Sequence, residues 1–347
     1  MAIVAEAQLP IVSSTEFVGL TPGPELETRF LAYFLQSETT RQILDSQVQS
    51  VTRSHQRVAP EDITHLTATT PTLTEQRRIS DFLDAETTRI TRLKQLREQQ
   101  LRLWAERARA FASHLVTVGD AAETRTVDWL GPVPEEWSTP SIGRISRFIM
   151  GTTFPHEYQG EKSGDFPFVK VGDFQNADIV GRMQGAENWI SSATARELGA
   201  RIVPPGSILY ARVGAALLLN RRRITTQPSV IDDNVRAICF DHGDPRFWAG
   251  LLSLLDMGQL VNPGPVPSIS ESQVSPIRVP DPDTPTQRKI ADQLETSLKQ
   301  WQKARILVER QLELIEERRQ ALITAAVTGQ FDVSTASGRN VTEGVTA

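Results

Sequence analysis

Thr74-Glu75-Gln76-Arg77-Arg78-Ile79-Ser80-Asp81-Phe82-Leu83 and, later in the chain, Thr286-Gln287-Arg288-Lys289-Ile290-Ala291-Asp292-Gln293-Leu294 are two copies of one pattern. Gln76 aligns with Gln287 at an offset of 211 residues, and the register then holds without a gap: Glu106-Arg107 falls on Glu317-Arg318, and Val116-Thr117 on Val327-Thr328. A repeat at fixed offset constrains architecture before function, because both copies must fold alike. In the first copy Ile79, Leu83, Ile90, Leu93, Leu101, Trp104, Phe111 and Leu115 recur at helical spacing, with polar Glu86 and Arg97 in the series. The second copy carries Ile290, Leu294, Trp301, Ala304, Val308, Leu312, Ile315, Leu322 and Ala326. A stripe this narrow, held for about 40 residues, is a coiled-coil seam rather than one face of a globular helix, and predicts a rod of about 60 Å. Pro71 and Pro282 precede the two rods, and Gly119 and Gly329 follow them as helix stops. The rods are expected at residues 75–119 and 286–330. Neither stripe can bury itself, and a globular segment of roughly 150 residues separates them. Antiparallel pairing within one chain is therefore expected, a coiled coil between chains being the alternative.

Working outward, Arg29-Phe30-Leu31-Ala32-Tyr33-Phe34-Leu35 resembles Arg246-Phe247-Trp248-Ala249-Gly250-Leu251-Leu252, each read as an amphipathic helix closing a globular domain. Ahead of them, Glu16-Phe17-Val18-Gly19-Leu20 and Val235-Arg236-Ala237-Ile238-Cys239-Phe240 read as short strands. From about residue 128 to 280 the periodicity changes to short apolar stretches at 166–171, 179–180, 207–213 and 235–240, separated by Gly and Pro. This is the pattern of a mostly β domain with a few helices, one of them near 193–198. The fold class predicted for the whole is α+β: that β domain at 120–285 plus two long helices in an antiparallel coiled coil. Residues 331–347 are small and polar and are read as a disordered tail.

Bulk properties exclude more than they assign. The 347 residues carry a net charge of −5, which argues against indiscriminate binding of nucleic acid but not against a local basic surface. No apolar run reaches the roughly 18–20 residues that span a bilayer. The start, Met1-Ala2-Ile3-Val4-Ala5-Glu6, lacks the basic region of a secretory signal. Cys239 is the only cysteine, which removes disulfides and cysteine-rich zinc sites and suits a cytoplasmic location. His55, His65, His114, His156 and His242 have no metal-ligand spacing, and there is no Gly-rich phosphate loop. Asn262-Pro263-Gly264-Pro265 has no accompanying glycine motif for S-adenosylmethionine, and Asp281-Pro282-Asp283 near Lys289 lacks the strand context of a nuclease. No catalytic or metal residue is assigned.

Two stretches suit nucleic acid. Residues 198–231 contain no Asp or Glu, yet hold Arg201, Arg212, Arg221, Arg222 and Arg223 beside Asn220, Thr225, Thr226 and Gln227. Such an excess could hold phosphates and read base edges; the plainer reading is a solvated hairpin tip whose arginines pair with acids elsewhere. Lys162, Lys170, Gln175 and Asn176, on or beside loops, form a second candidate surface, and isolated polar loop residues are its plainer reading.

The chain resembles the specificity subunits of type I restriction–modification systems over everything except its C-terminal tail. The resemblance is carried by Trp129-Leu130-Gly131-Pro132-Val133-Pro134-Glu135-Glu136-Trp137, by Phe168-Val169-Lys170-Val171-Gly172-Asp173-Phe174 and by Val203-Pro204-Pro205-Gly206-Ser207-Ile208-Leu209-Tyr210-Ala211-Arg212-Val213-Gly214, all in the recognition domain. Residues 75–87 match the family's central conserved region and residues 316–329 its distal one. The resemblance implies a non-catalytic subunit with two target-recognition domains, each reading half of a split double-stranded DNA site. It implies an antiparallel helix pair that spaces the half-sites and docks the methyltransferase subunits, a motor–nuclease subunit joining that core, and no membrane partner. S-adenosylmethionine, ATP and magnesium are implied on the partner subunits and none on this one. The sequence departs from the family pattern at its beginning, where only about 70 residues precede the first rod. Residues 1–74 are therefore expected to be the C-terminal part of a first recognition domain, and the strand near 16–20 to present an unpaired edge. An assembly scaffold that no longer binds DNA stays open as a second reading.

Overall fold

The computed structural model describes residues 3, 17–48, 58–67, 70–117, 123–262 and 264–333. The chain forms two compact units, one of residues 1–101 with 306–347 and the other of residues 102–305. Helices α4 (Leu73–Val116) and α10 (Thr284–Val327) each contribute to both. Gly329 follows α10 with φ +73, the left-handed conformation that ends a helix at glycine without steric cost. Gly119 and the tail from residue 334 lie outside the described residues.

The described residues of the unit of residues 1–101 and 306–347 form helices and their connections, with no strand. This unit adds α1 (Thr28–Gln36), α2 (Glu38–Ser46) and α3 (Pro60–Thr64) to the first part of α4 and the last part of α10. The helix pair is antiparallel: Ile79 and Leu83, near the start of α4, share a core with Ile323, Ala326 and Val327 near the end of α10. Farther along, Lys94 lies 3.1 Å from Glu316. Phe30 of α1 closes that core, and α1 is held by polar contacts. Its N-cap Glu27 accepts from the Phe30 amide at 2.7 Å, and Arg29 reaches Asp81 at 2.8 Å and Asp84 at 2.7 Å. Gln76 is buried, donates to the carbonyls of Glu25 and Pro71, and accepts from the Glu27 amide at 2.7 Å. The strand expected at residues 16–20 is not formed. Phe17 to Leu20 belong to no strand, and no described strand of this unit could supply them with a ladder; Phe17 is 73% exposed, and Glu16 lies outside the described residues.

The unit of residues 102–305 holds every described strand. A hairpin, β1 (Thr124–Val127) with β2 (Gly131–Pro134), opens it, and Trp129 ties that turn to the Arg278 carbonyl at 2.8 Å. Single-turn helix α5 (Ile142–Ile145) leads into β3 (Ser146–Met150), then β4 (Phe166–Val169), β5 (Asn188–Ile190) and α6 (Ser192–Glu197). There follow β6 (Ile208–Ala211), α7 (Ala215–Leu218), β7 (Arg223–Ile224), β8 (Val230–Ile231), β9 (Val235–Phe240), α8 (Pro245–Leu254) and α9 (Glu271–Val274). One sheet has the order β3-β9-β6-β7, all antiparallel, and a second the order β5-β4-β8. Side chains alternate across the first sheet. Ile208, Tyr210 and Ile238 enter the core beneath α8, while Leu209, Ala211, Ala237 and Cys239 enter a second core on the other face. The short apolar stretch at 179–180 is part of a tight turn.

Helix α8 repeats the α1 arrangement. Its N-cap Asp244 accepts from the Arg246 amide at 2.8 Å, and Arg246 reaches Asp292 at 2.7 Å and Glu295 at 2.9 Å. Buried Gln287 donates to the Pro282 carbonyl and the Asp281 carboxylate and accepts from the Asp244 amide at 3.0 Å. The repeat read in the sequence therefore extends to individual hydrogen bonds. Along the seam, Ile79, Leu83, Ile90, Ile290, Leu294, Val308 and Leu322 are buried, and Trp104, Phe111, Trp301 and Ile315 are half-buried. Phe111 meets Trp301 edge-on, with ring centroids 5.9 Å apart. Leu93 departs from the expectation: it is 44% exposed and borders an open groove of about 290 Å³ with Ile90, Leu314 and Ile315.

Candidate nucleic-acid interface

The arginine stretch begins where α7 ends. Asn220 takes φ +52, and its side chain ties the 253–257 backbone to the Arg222 guanidinium. Its Nδ2 donates to the Ser253 carbonyl at 3.0 Å, and its Oδ1 accepts from the Met257 amide at 3.2 Å and from Arg222 at 2.9 Å. Arg222 is 5% exposed, and its guanidinium also donates to the Leu255 carbonyl. Burial pushes its pKa down to about 10, and no carboxylate pairs with it among the described residues. Arg223 donates to the Phe174 and Arg222 carbonyls and lies 5.9 Å from the centre of the Phe174 ring. Three of the residues proposed from sequence thus hold the loop together from inside. Arg221 is exposed, as is Arg201 on the loop after α6. Arg212 is half-buried with its Nε on the Asp233 carbonyl at 2.7 Å.

The second candidate surface converges better. Lys170, Gln175 and Asn176 line one open cleft of about 600 Å³, and Gln184 joins them. Asp173 ties the walls together: it is buried, and its two carboxylate oxygens accept from the Lys170 and Glu187 amides, each at 2.8 Å. Lys170 Nζ donates to Gln159 at 3.0 Å and sits 5.0 Å from the centre of the Phe154 ring. Lys162 lies outside the cleft, donating to the Glu187 carbonyl at 3.2 Å.

Asn176 and Gln184 are brought together by a hairpin. The Gln184 amide donates to the Asn176 carbonyl at 2.8 Å and the Asp178 amide to the Arg182 carbonyl at 2.9 Å. The turn between them is fixed by Asp178, which accepts from the Val180 and Arg182 amides. Arg182 then anchors the hairpin to α10 through Glu295 at 2.8 Å. Arg182, with Lys299 and Arg246, holds the Glu295 carboxyl down at about 2. Sequence reasoning missed Gln184. The bridge between Ala177 and Met183 turns a residue eight positions from Asn176 into its neighbour, a pairing that no local sequence pattern displays.

The chemistry of this surface is hydrogen bonding and charge. It offers amides, an ammonium and exposed guanidiniums, and among the described residues no group of three His, Cys, Asp or Glu could hold a metal ion. Comparison with known proteins gives the same direction. The type I restriction modification DNA specificity domain matches residues 134–309. A chain from a solved structure concerned with complex assembly and conformational transition of the type I R-M system superposes with a TM-score of 0.71 at 18% identity. That match covers 88% of this chain and 72% of the other. The crystal structure of the HsdS subunit from Thermoanaerobacter tengcongensis gives a TM-score of 0.50 at 18% identity, over 88% of this chain and 71% of its own. No curated protein matches the sequence.

Proposed function

The chain belongs to the type I restriction–modification DNA specificity family, and on that premise we propose that it reads one half-site of a bipartite duplex and docks methyltransferase subunits. The observation that carries the reading is the place of the family match: residues 134–309 contain both the cleft and Arg221. In this reading Arg201, Arg212, Arg221 and Lys162 hold backbone phosphates, while Gln175 and Asn176, with Lys170 beside them, face base edges. Asn220, Arg222 and Arg223 shape the loop that presents Arg221. Long helices α4 and α10 space this reader from a second half-site. Leu93, Leu96 and Leu314, each more than 40% exposed, border or flank the groove and suit an amphipathic helix of a methyltransferase subunit. A motor–nuclease subunit completes the complex, in the cytoplasm. S-adenosylmethionine, ATP and magnesium act on those partners, and this chain performs no catalytic step itself.

A gel-shift series on bipartite duplexes with randomised half-sites, run at graded salt, tests the reading. Sequence preference confined to one half-site is the expected result. Salt-sensitive binding with no preference would make the chain an assembly scaffold instead.

A further inference from the structure

We propose that the cleft beside the 176–184 hairpin reads an adenine edge in the DNA major groove, with Gln184 a specificity-determining residue alongside Gln175 and Asn176. We further assign Gly172 and Gly185 the task of leaving room for the duplex. The proposal rests on the reading of this chain as a DNA reader.

The amides of the cleft are uncommitted. Gln175 and Asn176 make no side-chain hydrogen bond within the described residues, and Gln184 makes one, from Nε2 to the Arg182 carbonyl at 3.2 Å. The buried and half-buried amides of the same unit are spent on structure, Asn188 on the Gly160 amide, Gln273 on the Leu260 carbonyl, Asn220 and Gln287 as described above. In the cleft, by contrast, two amides are open and the third makes one bond, all lining the same space of about 600 Å³.

The two glycines give an independent argument. Gly172 and Gly185 both line the cleft, neither has a positive φ, and a Cβ added to either meets nothing within 4 Å. Nothing inside the fold requires glycine there. At Gly181 the requirement is plain: φ is +94, and an added Cβ would come 2.9 Å from the Arg222 carbonyl oxygen. Bare backbone at 172 and 185 instead keeps the cleft wide enough for a bulky ligand.

Chemistry selects the base. An amide presents a donor and an acceptor in one plane, which matches the N6 amino group and N7 of adenine. Guanine offers two acceptors at that edge and would leave the amide oxygen opposed to O6; it calls for Arg or Lys. Lys170, the cleft's ammonium, is already held by Gln159 and the Phe154 ring. The walls are fixed by Asp173 and by Arg182 on Glu295, so the backbone that carries the amides is in place before DNA arrives.

The test is selection from a duplex pool with randomised half-sites, using the full chain reconstituted with its methyltransferase subunits. The wild type should enrich a half-site containing adenine. Gln184→Ala should lose preference at one A·T position by roughly 10- to 100-fold while other positions persist. Gly185→Leu should melt at the wild-type temperature yet lose the half-site. Wild-type preference retained by both variants, or a changed position that proves to be G·C, overturns the proposal while leaving the DNA-reading function intact. A wild type that enriches no sequence removes that function and this proposal with it.

Discussion

Arg221 and Arg222 are adjacent and chemically identical, and the fold treats them oppositely. Arg221 is exposed; Arg222 is sealed between the Asn220 side chain and the Leu255 carbonyl. Arg221→Ala should leave the melting temperature unchanged and reduce the salt slope of DNA binding by about 1, read from binding isotherms at graded salt. Arg222→Ala strips buried acceptors of their donor and should cost on the order of 3 kcal/mol, read from denaturant unfolding. Sequence displays a cluster of charge, but burial depends on residues 253–257 at the end of α8, more than 30 residues away. That is why the run was legible as basic and not as half structural. Glu295 gives a pH test. Its folded pKa, about 2, lies below the ordinary carboxylate range because Arg182, Lys299 and Arg246 hold the charge. Its contribution is therefore fully present above about pH 4.5 and fades as pH falls toward 2. The stability gap between wild type and Glu295→Gln, followed by circular dichroism, should narrow over that window; a gap independent of pH would contradict the assignment.

At the scale of elements, the long helices were legible because their signal is local and repeated. Stripe, preceding prolines and Gly329 placed them within a few residues of Leu73–Val116 and Thr284–Val327. Periodicity could not say which seam positions face a partner helix of the same chain. Leu83 is fully buried, whereas Leu93 opens onto the groove. Leu83→Ala should cost about 2–5 kcal/mol through the cavity it leaves. Leu93→Ala should change stability little and instead weaken co-purification with the methyltransferase subunit; equal stability losses in the two variants would place Leu93 in the core. Strands were less legible. β9 follows from its apolar run, but Phe17 to Leu20 has a strand-like composition without a neighbour to pair with. A strand is a property of two segments, and composition reports one. The same limit hid Gln184, whose place depends on a hairpin register.

At the scale of the whole molecule, the repeat is the feature most fully written in the sequence. Glu27, Arg29 and Gln76 in one unit do what Asp244, Arg246 and Gln287 do in the other: an acid caps a short helix, an arginine ties that helix to carboxylates of the long one, and a buried glutamine joins their backbones. The proposed function rides on what is not repeated, the sheets and the cleft of residues 102–305. Photo-crosslinking to a duplex recovered by selection, with the crosslinked peptides mapped by mass spectrometry, tests that division most directly. The account predicts crosslinks at residues 170–187 and around Arg221. Crosslinks confined to the long helices, with the cleft unlabelled, would contradict it.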